Sequence, residues 1–268
     1  MTVTPTRGIR TFRYAVFFDG VDDYAVISPF TVYNWSEITI QEWIYFYHPK
    51  VNALWSKTST IGDPWVDYPA IQYCTNNRVD YTALGIDFFT RTPAGTRGYY
   101  GTSIYVYRNA WINVVRRFTS TREFSAWVNA SRVYAVTVPA DEKTVLEWNP
   151  DNATYPERYK RFVLGSNINF GEQMKMMQSN LLIYSKAPPE SELRHNMTYP
   201  WNPVRDGLKV WLLAHPDYVK DIDGDGILEW IDLSGNGNHA KLYGARLVEL
   251  IKTPSRILTP IRVAPVVR

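Results

Sequence analysis

Apolar and polar residues alternate in short runs along most of the chain, and this period of two is typical of β-strands. Two such runs surround an acidic turn within 14–27. Clusters of Gly, Pro, Asn and Asp separate the runs at short intervals. The spacing predicts an all-β protein, either a sandwich or a jelly roll. Further predicted strands lie at 38–47, 99–107, 111–118, 123–127, 132–138, 162–165 and 181–185.

A short helix is predicted to begin within 188–195, where Pro and Ser precede the acidic residues of a first turn. The run Tyr-Pro-Trp-Asn-Pro at 199–203 then marks a boundary. We therefore divide the chain into a jelly roll over 1–203 and a C-terminal segment over 204–268, which can complete the same sandwich. This segment contains predicted strands at 207–213 and 239–243 and an extended basic tail at 251–268.

The run 221–232 places carboxylates at positions 1, 3, 5, 9 and 12, with glycine at position 6. Ca²⁺ takes roughly 6–8 oxygen ligands, and this spacing curls the first three side chains around one point. A strand precedes the run, so we expect a calcium-bound turn between strands; an acidic turn without metal is the alternative. The shorter Asp at position 12, in place of Glu, should weaken binding. The predicted ligands are Asp221, Asp223, Asp225, the carbonyl of Ile227, Glu229, and Asp232, which would close the loop.

Composition limits the classes of protein to which the chain can belong. The one cysteine, Cys74, excludes an internal disulfide, so stability must come from packing and from metal. No apolar run approaches the roughly 18 residues of a membrane span, and Met1 precedes a polar basic segment without the features of an export signal. A net charge of +3 is too small to indicate a nucleic-acid partner.

Several phrases resemble the laminin G-like branch of the concanavalin A-like lectin/glucanase superfamily. They include Phe-Asp-Gly-Val-Asp-Asp-Tyr at 18–24 and Ile-Thr-Ile-Gln-Glu-Trp-Ile at 38–44, and others follow at 111–115, 124–129 and 181–187. The resemblance implies a two-sheet jelly roll that binds sugars or proteins and often carries calcium at its rim. Asp19, Asp22 and Asp23 are then candidate ligands of a second metal, and a hydrogen-bonded Asp turn is the alternative. Family modules often have Ile-Asp-Glu where this chain has Gln-Ser-Asn at 178–180.

A further phrase at 230–245, containing Asp-Leu-Ser-Gly-Asn-Gly-Asn-His, also resembles the family. In many members it precedes the Phe-Asp-Gly-Val-Asp-Asp strand, whereas here it lies near the other end of the chain. The order therefore resembles a circular permutation. The C-terminal strand can close its own jelly roll or join a neighbouring copy by strand exchange. We expect closure within the chain.

The superfamily includes glycoside hydrolases, so catalysis must be considered. Retaining hydrolysis needs two carboxylates about 5–5.5 Å apart, and the resemblance implies Glu-x-Asp-x-x-Glu along one strand. The sequence contains no such pattern: Glu37 and Glu42 flank a strand without a second acid at that spacing. We expect no enzymatic activity and no catalytic residues.

Aromatic residues provide a candidate sugar-binding region. Trp55, Trp65, Tyr68 and Tyr73 form an irregular stretch with interleaved acids, and aromatic rings stack on sugar rings. Packing in the core or over a sheet edge is the alternative. Four Asn-x-Ser/Thr sequons, at Asn34, Asn129, Asn152 and Asn196, predict glycosylation.

Together these features indicate a non-catalytic surface protein for adhesion or assembly, stabilised by Ca²⁺, that is extracellular or on a virion surface. An archaeal or viral surface protein fits, since a virion component reaches the outside without an export signal. Its expected partner is a glycan or protein surface, and the basic tail would dock on a partner. A calcium-dependent lectin module is the main alternative, and a glycoside hydrolase the weaker one.

Overall fold

A computed structural model describes residues 12–46, 55–67, 69–78, 81–106, 110–170 and 173–250. Within them, two antiparallel sheets enclose a common hydrophobic core, which confirms the predicted all-β jelly-roll sandwich. Among these residues, no helix has the length and apolar character that a membrane crossing requires. The basic tail at 251–268 lies outside the described residues.

The elements follow the chain in a strand-rich order with one α-helix in the described part. The helix α1 spans Glu190–Thr198, where it was predicted to begin. The strands are β1 (Tyr14–Asp19), β2 (Tyr24–Ile27), β3 (Ile38–Phe46), β4 (Trp55–Gly62), β5 (Ala70–Arg78), β6 (Tyr81–Arg91), β7 (Arg97–Val106), β8 (Trp111–Phe118), β9 (Glu123–Val128), β10 (Ser131–Thr137), β11 (Phe162–Leu164), β12 (Lys175–Tyr184), β13 (Leu208–Leu213), β14 (Val219–Lys220), β15 (Leu228–Trp230), β16 (Ala240–Tyr243) and β17 (Arg246–Glu249).

The first sheet has the order β10-β9-β8-β3-β12-β1-β17, and β13 also pairs with β12. The second has the order β14-β15-β16-β2-β11-β4-β5-β6-β7. Alternation directs Ile38, Ile40 and Ile44 of β3 into the core between the sheets. On the other side of the first sheet, Leu193 of α1 packs against Val115 and Trp127.

The C-terminal segment contributes strands to both sheets. Strand β13 pairs with β12, and β17 pairs with β1 in the first sheet. In the second sheet, β16 pairs with β2 and carries β15 and β14 beyond it. Strands β13 to β17 therefore pair with one another and with earlier strands of the chain, so residues 208–249 extend both sheets.

The aromatic stretch predicted as irregular is largely strand, which corrects that interpretation. Strands β4 and β5 form a hairpin with Thr60 opposite Gln72, and β6 continues the sheet. Residues 63–69 alone connect β4 and β5. The sequence of β4, Trp-Ser-Lys-Thr-Ser-Thr-Ile-Gly, has hydroxyl-bearing residues on both faces, so no apolar alternation reveals the strand.

Candidate functional site

The predicted calcium loop connects β14 to β15 and brings three carboxylates together. Oxygens of Asp221, Asp223 and Asp225 lie within 4.8 Å of one another. The backbone folds around Asp221, whose Oδ1 and Oδ2 accept hydrogen bonds from Gly224 N (2.7 Å) and Gly226 N (2.9 Å). Both glycines have positive φ, which permits this tight turn. The loop lies between strands, as expected.

A lysine on the neighbouring strand faces these carboxylates. The register of β15 and β16 places Lys241 opposite Glu229. Its Nζ lies 3.0 Å from Asp225 Oδ2, 3.3 Å from Asp223 Oδ2 and 3.7 Å from Glu229 Oε1. The hydrogen bonds to Asp225 and Asp223 raise the pKa of Lys241. Conversely, the bond from Ile227 N, followed by that from Lys241, lowers the pKa of Asp225.

Glu229 is the buried member of this group. It is only 8% exposed, and its buried Oε2 has no hydrogen-bond partner among the described residues. A buried carboxylate oxygen without a donor is costly. Glu229 therefore offers an oxygen that a cation could satisfy.

Asp232 has a different role from the loop-closing ligand that the sequence predicted. Its Oδ1 accepts hydrogen bonds from Trp211 N (2.9 Å) and Ser234 N (2.9 Å). Its Oδ2 accepts from Ser234 Oγ (2.8 Å) and Asn238 N (2.9 Å). Asp232 thus fastens the turn after β15 to β13, because a carboxylate with four donors is already occupied. The spacing of the acids in 221–232 could not reveal that Asp232 accepts these hydrogen bonds.

The second predicted metal cluster lies at the turn between β1 and β2. Oxygens of Asp19, Asp22 and Asp23 lie within 4.8 Å of one another. The turn is also hydrogen-bonded, since Asp19 N donates to Asp23 Oδ2 at 2.7 Å and Val21 N to Asp19 Oδ1 at 2.6 Å. Burial raises the pKa of Asp23, against the lowering effect of its bond from Asp19 N. A side chain at Gly244 would overlap Asp23, so β16 ends tightly against this turn.

An aromatic stack that the sequence analysis missed crosses the outer face of the second sheet. Tyr24 and Tyr243 are partners in the β2–β16 register, and their rings stack with centroids 4.8 Å apart. Phe170 stacks on Tyr24, with the two ring centroids 4.3 Å apart. The Arg161 guanidinium lies 4.6 Å from the centroid of the Phe170 ring. Alternation in β2 and β16 predicts outward tyrosines, but only the register shows that they meet.

An open groove of about 250 Å³ is lined both by Tyr243 of this stack and by Glu229 and Lys241. It is smaller than the roughly 300–1,000 Å³ of typical small-molecule pockets. His239 Nδ1 accepts a hydrogen bond from Asp232 N at 2.9 Å, so in the neutral ring the proton is assigned to Nε2. The groove is lined by Val26, Ser28, Glu229, His239, Lys241 and Tyr243.

The aromatic region predicted to bind sugar is divided by the fold. Trp55 and Tyr73 belong to β4 and β5, and Tyr68 lies outside the described residues. Trp65, in the connecting loop, is 57% exposed, and the Arg97 guanidinium lies 4.8 Å from its ring. The structure therefore leaves Trp65 as the exposed aromatic of the set whose side chain is described.

Two acids fasten the loop that carries Trp65. Asp63 accepts from the backbone N of Trp65 at 2.8 Å and pairs with Arg158. Asp67 accepts from Thr154 N (3.0 Å) and Thr154 Oγ1 (2.9 Å). The acids interleaved with the aromatics therefore hold the loop to the segment 154–158.

The sequons differ in accessibility. Asn34 and Asn152 are exposed. Asn129 is partly exposed, and its Oδ1 accepts from Asn113 N at 2.9 Å. Asn196, by contrast, is 1% exposed, and its side-chain amide is engaged at both ends. Its Nδ2 donates to the Tyr184 hydroxyl, and its Oδ1 accepts from Val204 N, both at 2.9 Å.

The glutamates considered for catalysis have structural partners. Glu42 lies between the sheets and is fully buried, with its Oε1 3.4 Å from Arg116 Nη2 and its Oε2 accepting from Ser59 Oγ at 3.2 Å. Burial raises the pKa of Glu42, and the Arg116 charge opposes this. Glu37 accepts from Ser120 N (3.0 Å) and Ala187 N (2.9 Å). Both carboxylates therefore take part in contacts that hold the fold together.

No protein-family model and no curated protein matches the sequence. Among solved structures, a proposed carbohydrate-binding protein from Bacteroides ovatus ATCC 8483 has a TM-score of 0.62 at 15% identity, over 93% of this chain and 63% of that one. NanB sialidase from Streptococcus pneumoniae has a TM-score of 0.50 at 11% identity, over 80% of this chain and 30% of that one. The LG4-5 domains of the mouse laminin alpha1 chain have a TM-score of 0.45 at 11% identity, over 71% of this chain and 46% of that one.

The present chain spans less than two thirds of the length of each of these three proteins. At such low identity, the likeness shows the fold alone. The fold class is therefore the jelly-roll sandwich that the sequence predicted, in an arrangement shared with the Bacteroides protein.

Proposed function

We propose that this protein is a non-catalytic carbohydrate-binding module that acts outside the cell or on a virion surface, in adhesion or assembly. The observation that carries the proposal is the groove beside Tyr243. The Tyr243 ring lies there next to polar side chains that can donate or accept hydrogen bonds. An aromatic ring and polar side chains are the two kinds of group that bind a sugar. The ring offers an apolar face to the C–H groups of the sugar, and the polar side chains bind its hydroxyls.

We propose that Asp221, Asp223, Asp225 and Glu229 hold Ca²⁺ at the edge of this groove. The donor set is entirely oxygen, which a hard cation prefers. The buried Glu229 Oε2 without a hydrogen-bond donor supports the fit. Asp19, Asp22 and Asp23 are a second candidate metal site of lower rank, since among the described residues none of their carboxylate oxygens is buried without a hydrogen-bond partner.

The fold likeness is compatible with this function, because the Bacteroides neighbour is itself a proposed carbohydrate-binding protein. The buried positions of Glu42 and its Arg116 partner support the non-catalytic part of the proposal. The module would then recognise glycans of a surface, with calcium fixing the loop beside the ligand.

A glycan array tests the function with two matched aromatic variants, Tyr243→Ala and Trp65→Ala, probed in calcium and in chelator. We expect glycans bound in calcium to be lost with Tyr243→Ala and kept with Trp65→Ala, while circular dichroism shows that both variants are folded. Loss with Trp65→Ala alone would move the site to the 63–67 loop. A wild-type protein that binds no glycan in either condition would contradict carbohydrate binding.

A further inference from the structure

Lys241 already occupies the position of a counter-ion in the acidic loop. Its ammonium contacts Asp223 and Asp225 and lies near Glu229, so three carboxylates from two elements converge on one positive charge. Asp221, which lies within 4.8 Å of Asp223 and Asp225, brings a fourth carboxylate to the group. The group is strongly undercompensated, and a divalent cation would neutralise more of it than an ammonium can.

The lysine and a metal ion cannot share these oxygens. Nζ lies within hydrogen-bond distance of Asp223 Oδ2 and Asp225 Oδ2, which belong to two of the side chains that would coordinate the metal. Two positive charges a few ångströms apart repel each other, and a metal needs its ligand oxygens at about 2.3–2.6 Å. Metal binding must therefore displace the ammonium.

The groove is the adjacent space into which Lys241 can turn. Lys241 and Tyr243 share the outward face of β16, and both line the groove together with His239. The flexible four-carbon stem allows the ammonium to move without a change in the strand. In the lysine-bound state, Glu229 and Lys241 balance each other's charge in the groove. In the metal-bound state, Glu229 is neutralised by the metal and Lys241 is released.

We propose that a divalent cation displaces Lys241 from Asp223, Asp225 and Glu229, and that the released ammonium, with His239 Nε2–H, binds the carboxylate or sulfate of an acidic glycan against Tyr243. The choice of an anionic sugar rests on the proposed function, whereas the exchange itself rests on the geometry of the loop. The cation thereby makes the groove competent for an anion, so that two ligands of opposite charge bind cooperatively.

The first experiment measures the exchange without any glycan. The amines of the whole chain are acetylated briefly in calcium and in chelator, and mass spectrometry compares Lys241 with Lys209 as the internal reference. We expect calcium to raise the relative labelling of Lys241 severalfold. Calorimetry should also show that Lys241→Gln binds calcium roughly 5- to 30-fold more tightly, because a competing charge is removed, while Lys209→Gln is unchanged. Labelling that calcium leaves unchanged, or weaker calcium binding by Lys241→Gln, would overturn the exchange.

The second experiment adds the sugar and separates the two acidic chemistries. Uronic-acid oligosaccharides, sulfated oligosaccharides and matched neutral ones are titrated into calcium-loaded wild type and Lys241→Gln. We expect one acidic series to bind the wild type at least tenfold more tightly than Lys241→Gln, although the variant retains calcium. Glycan binding without lysine release would keep the proposed function and overturn the exchange. Lysine release without binding of any glycan would contradict the proposed function and the anion site, and leave the exchange standing.

Discussion

Carboxylates contact a positive charge at two places in this molecule, and the two places differ mainly in burial. Inside the sandwich, Glu42 contacts Arg116, and their side chains are 0% and 1% exposed. On the β14–β15 hairpin, Asp223 and Asp225 contact Lys241, whose side chain is 37% exposed. Water and ions reach the second set but are excluded from the first.

The same kind of contact therefore serves two purposes. In the low dielectric of the core, neither Glu42 nor Arg116 can lose its partner without leaving a buried charge, so the pair is a permanent part of the fold. In the exposed loop, solvent compensates a carboxylate whose partner leaves. The comparison teaches that exposure makes the Lys241 contacts exchangeable, and three predictions test this difference.

The largest effect is expected in the core. Arg116→Met should destabilise the fold by about 3–5 kcal/mol, because Glu42 is left buried without its partner. Urea unfolding measures this loss. The double variant with Glu42→Gln should recover most of the stability, since both charges are then absent. A double variant no more stable than Arg116→Met would argue against the ion pair as the cause, and the exposed counterpart Lys241→Met should unfold close to wild type.

A smaller effect is expected at Asp232, which lies between these extremes at 6% exposed. Asp232→Asn replaces one acceptor oxygen by an amide and removes the charge that its four donors share. We expect a loss of about 2–3 kcal/mol in the free energy of unfolding. The matched variant is Asp221→Asn, which changes an exposed acid of the same 221–232 run. In chelator it should lower the free energy of unfolding much less. Equal losses would mean that Asp232 is no anchor.

The smallest effect is expected from the exposed loop, and it should depend on calcium. Asp223→Asn combined with Asp225→Asn should hardly change Tm in chelator. In calcium at ten times the Kd, the wild type should melt about 3–6 °C higher than in chelator, and the variant should lose this gain. If Tm of the variant falls by the same amount in both conditions, the metal claim fails.

The sequence predicts most of the fold because alternation is clear where one face of a strand is buried. Strands β8 and β3 are found nearly residue for residue, because most of their core-facing residues are isoleucine and valine, although Glu42 and Arg116 share those faces. The hairpin of β4 and β5 escapes prediction because the sequence of β4 is a run of Thr, Ser and Lys in which apolar and polar residues do not alternate. Such strands obtain their sheet position from neighbouring strands, which local pattern does not encode.

The sequence could predict only those residues of the candidate site that lie close to one another along the chain. The spacing of Asp221, Asp223 and Asp225 shows their convergence, since one turn of chain contains them all. Lys241 reaches them through the register of β15 and β16, and Tyr243 meets Tyr24 through that of β16 and β2. These pairings depend on tertiary structure. The burial of Asn196 and the hydrogen bond from Trp211 N to Asp232 Oδ1 depend on it too. Spacing alone cannot supply them.

The pairing of β1 has a consequence for the order in which the chain can fold. This strand lies between β12 and β17, so Val16 pairs with Gln178 on one side and Leu247 on the other. Contacts so distant along the chain close late and slow folding. During synthesis, one edge of β1 stays unpaired until residues 175–184 have emerged, and the other edge until residues 246–249 have emerged. The nascent protein therefore passes through a prolonged aggregation-prone stage, in which chaperone binding would have its greatest effect on yield.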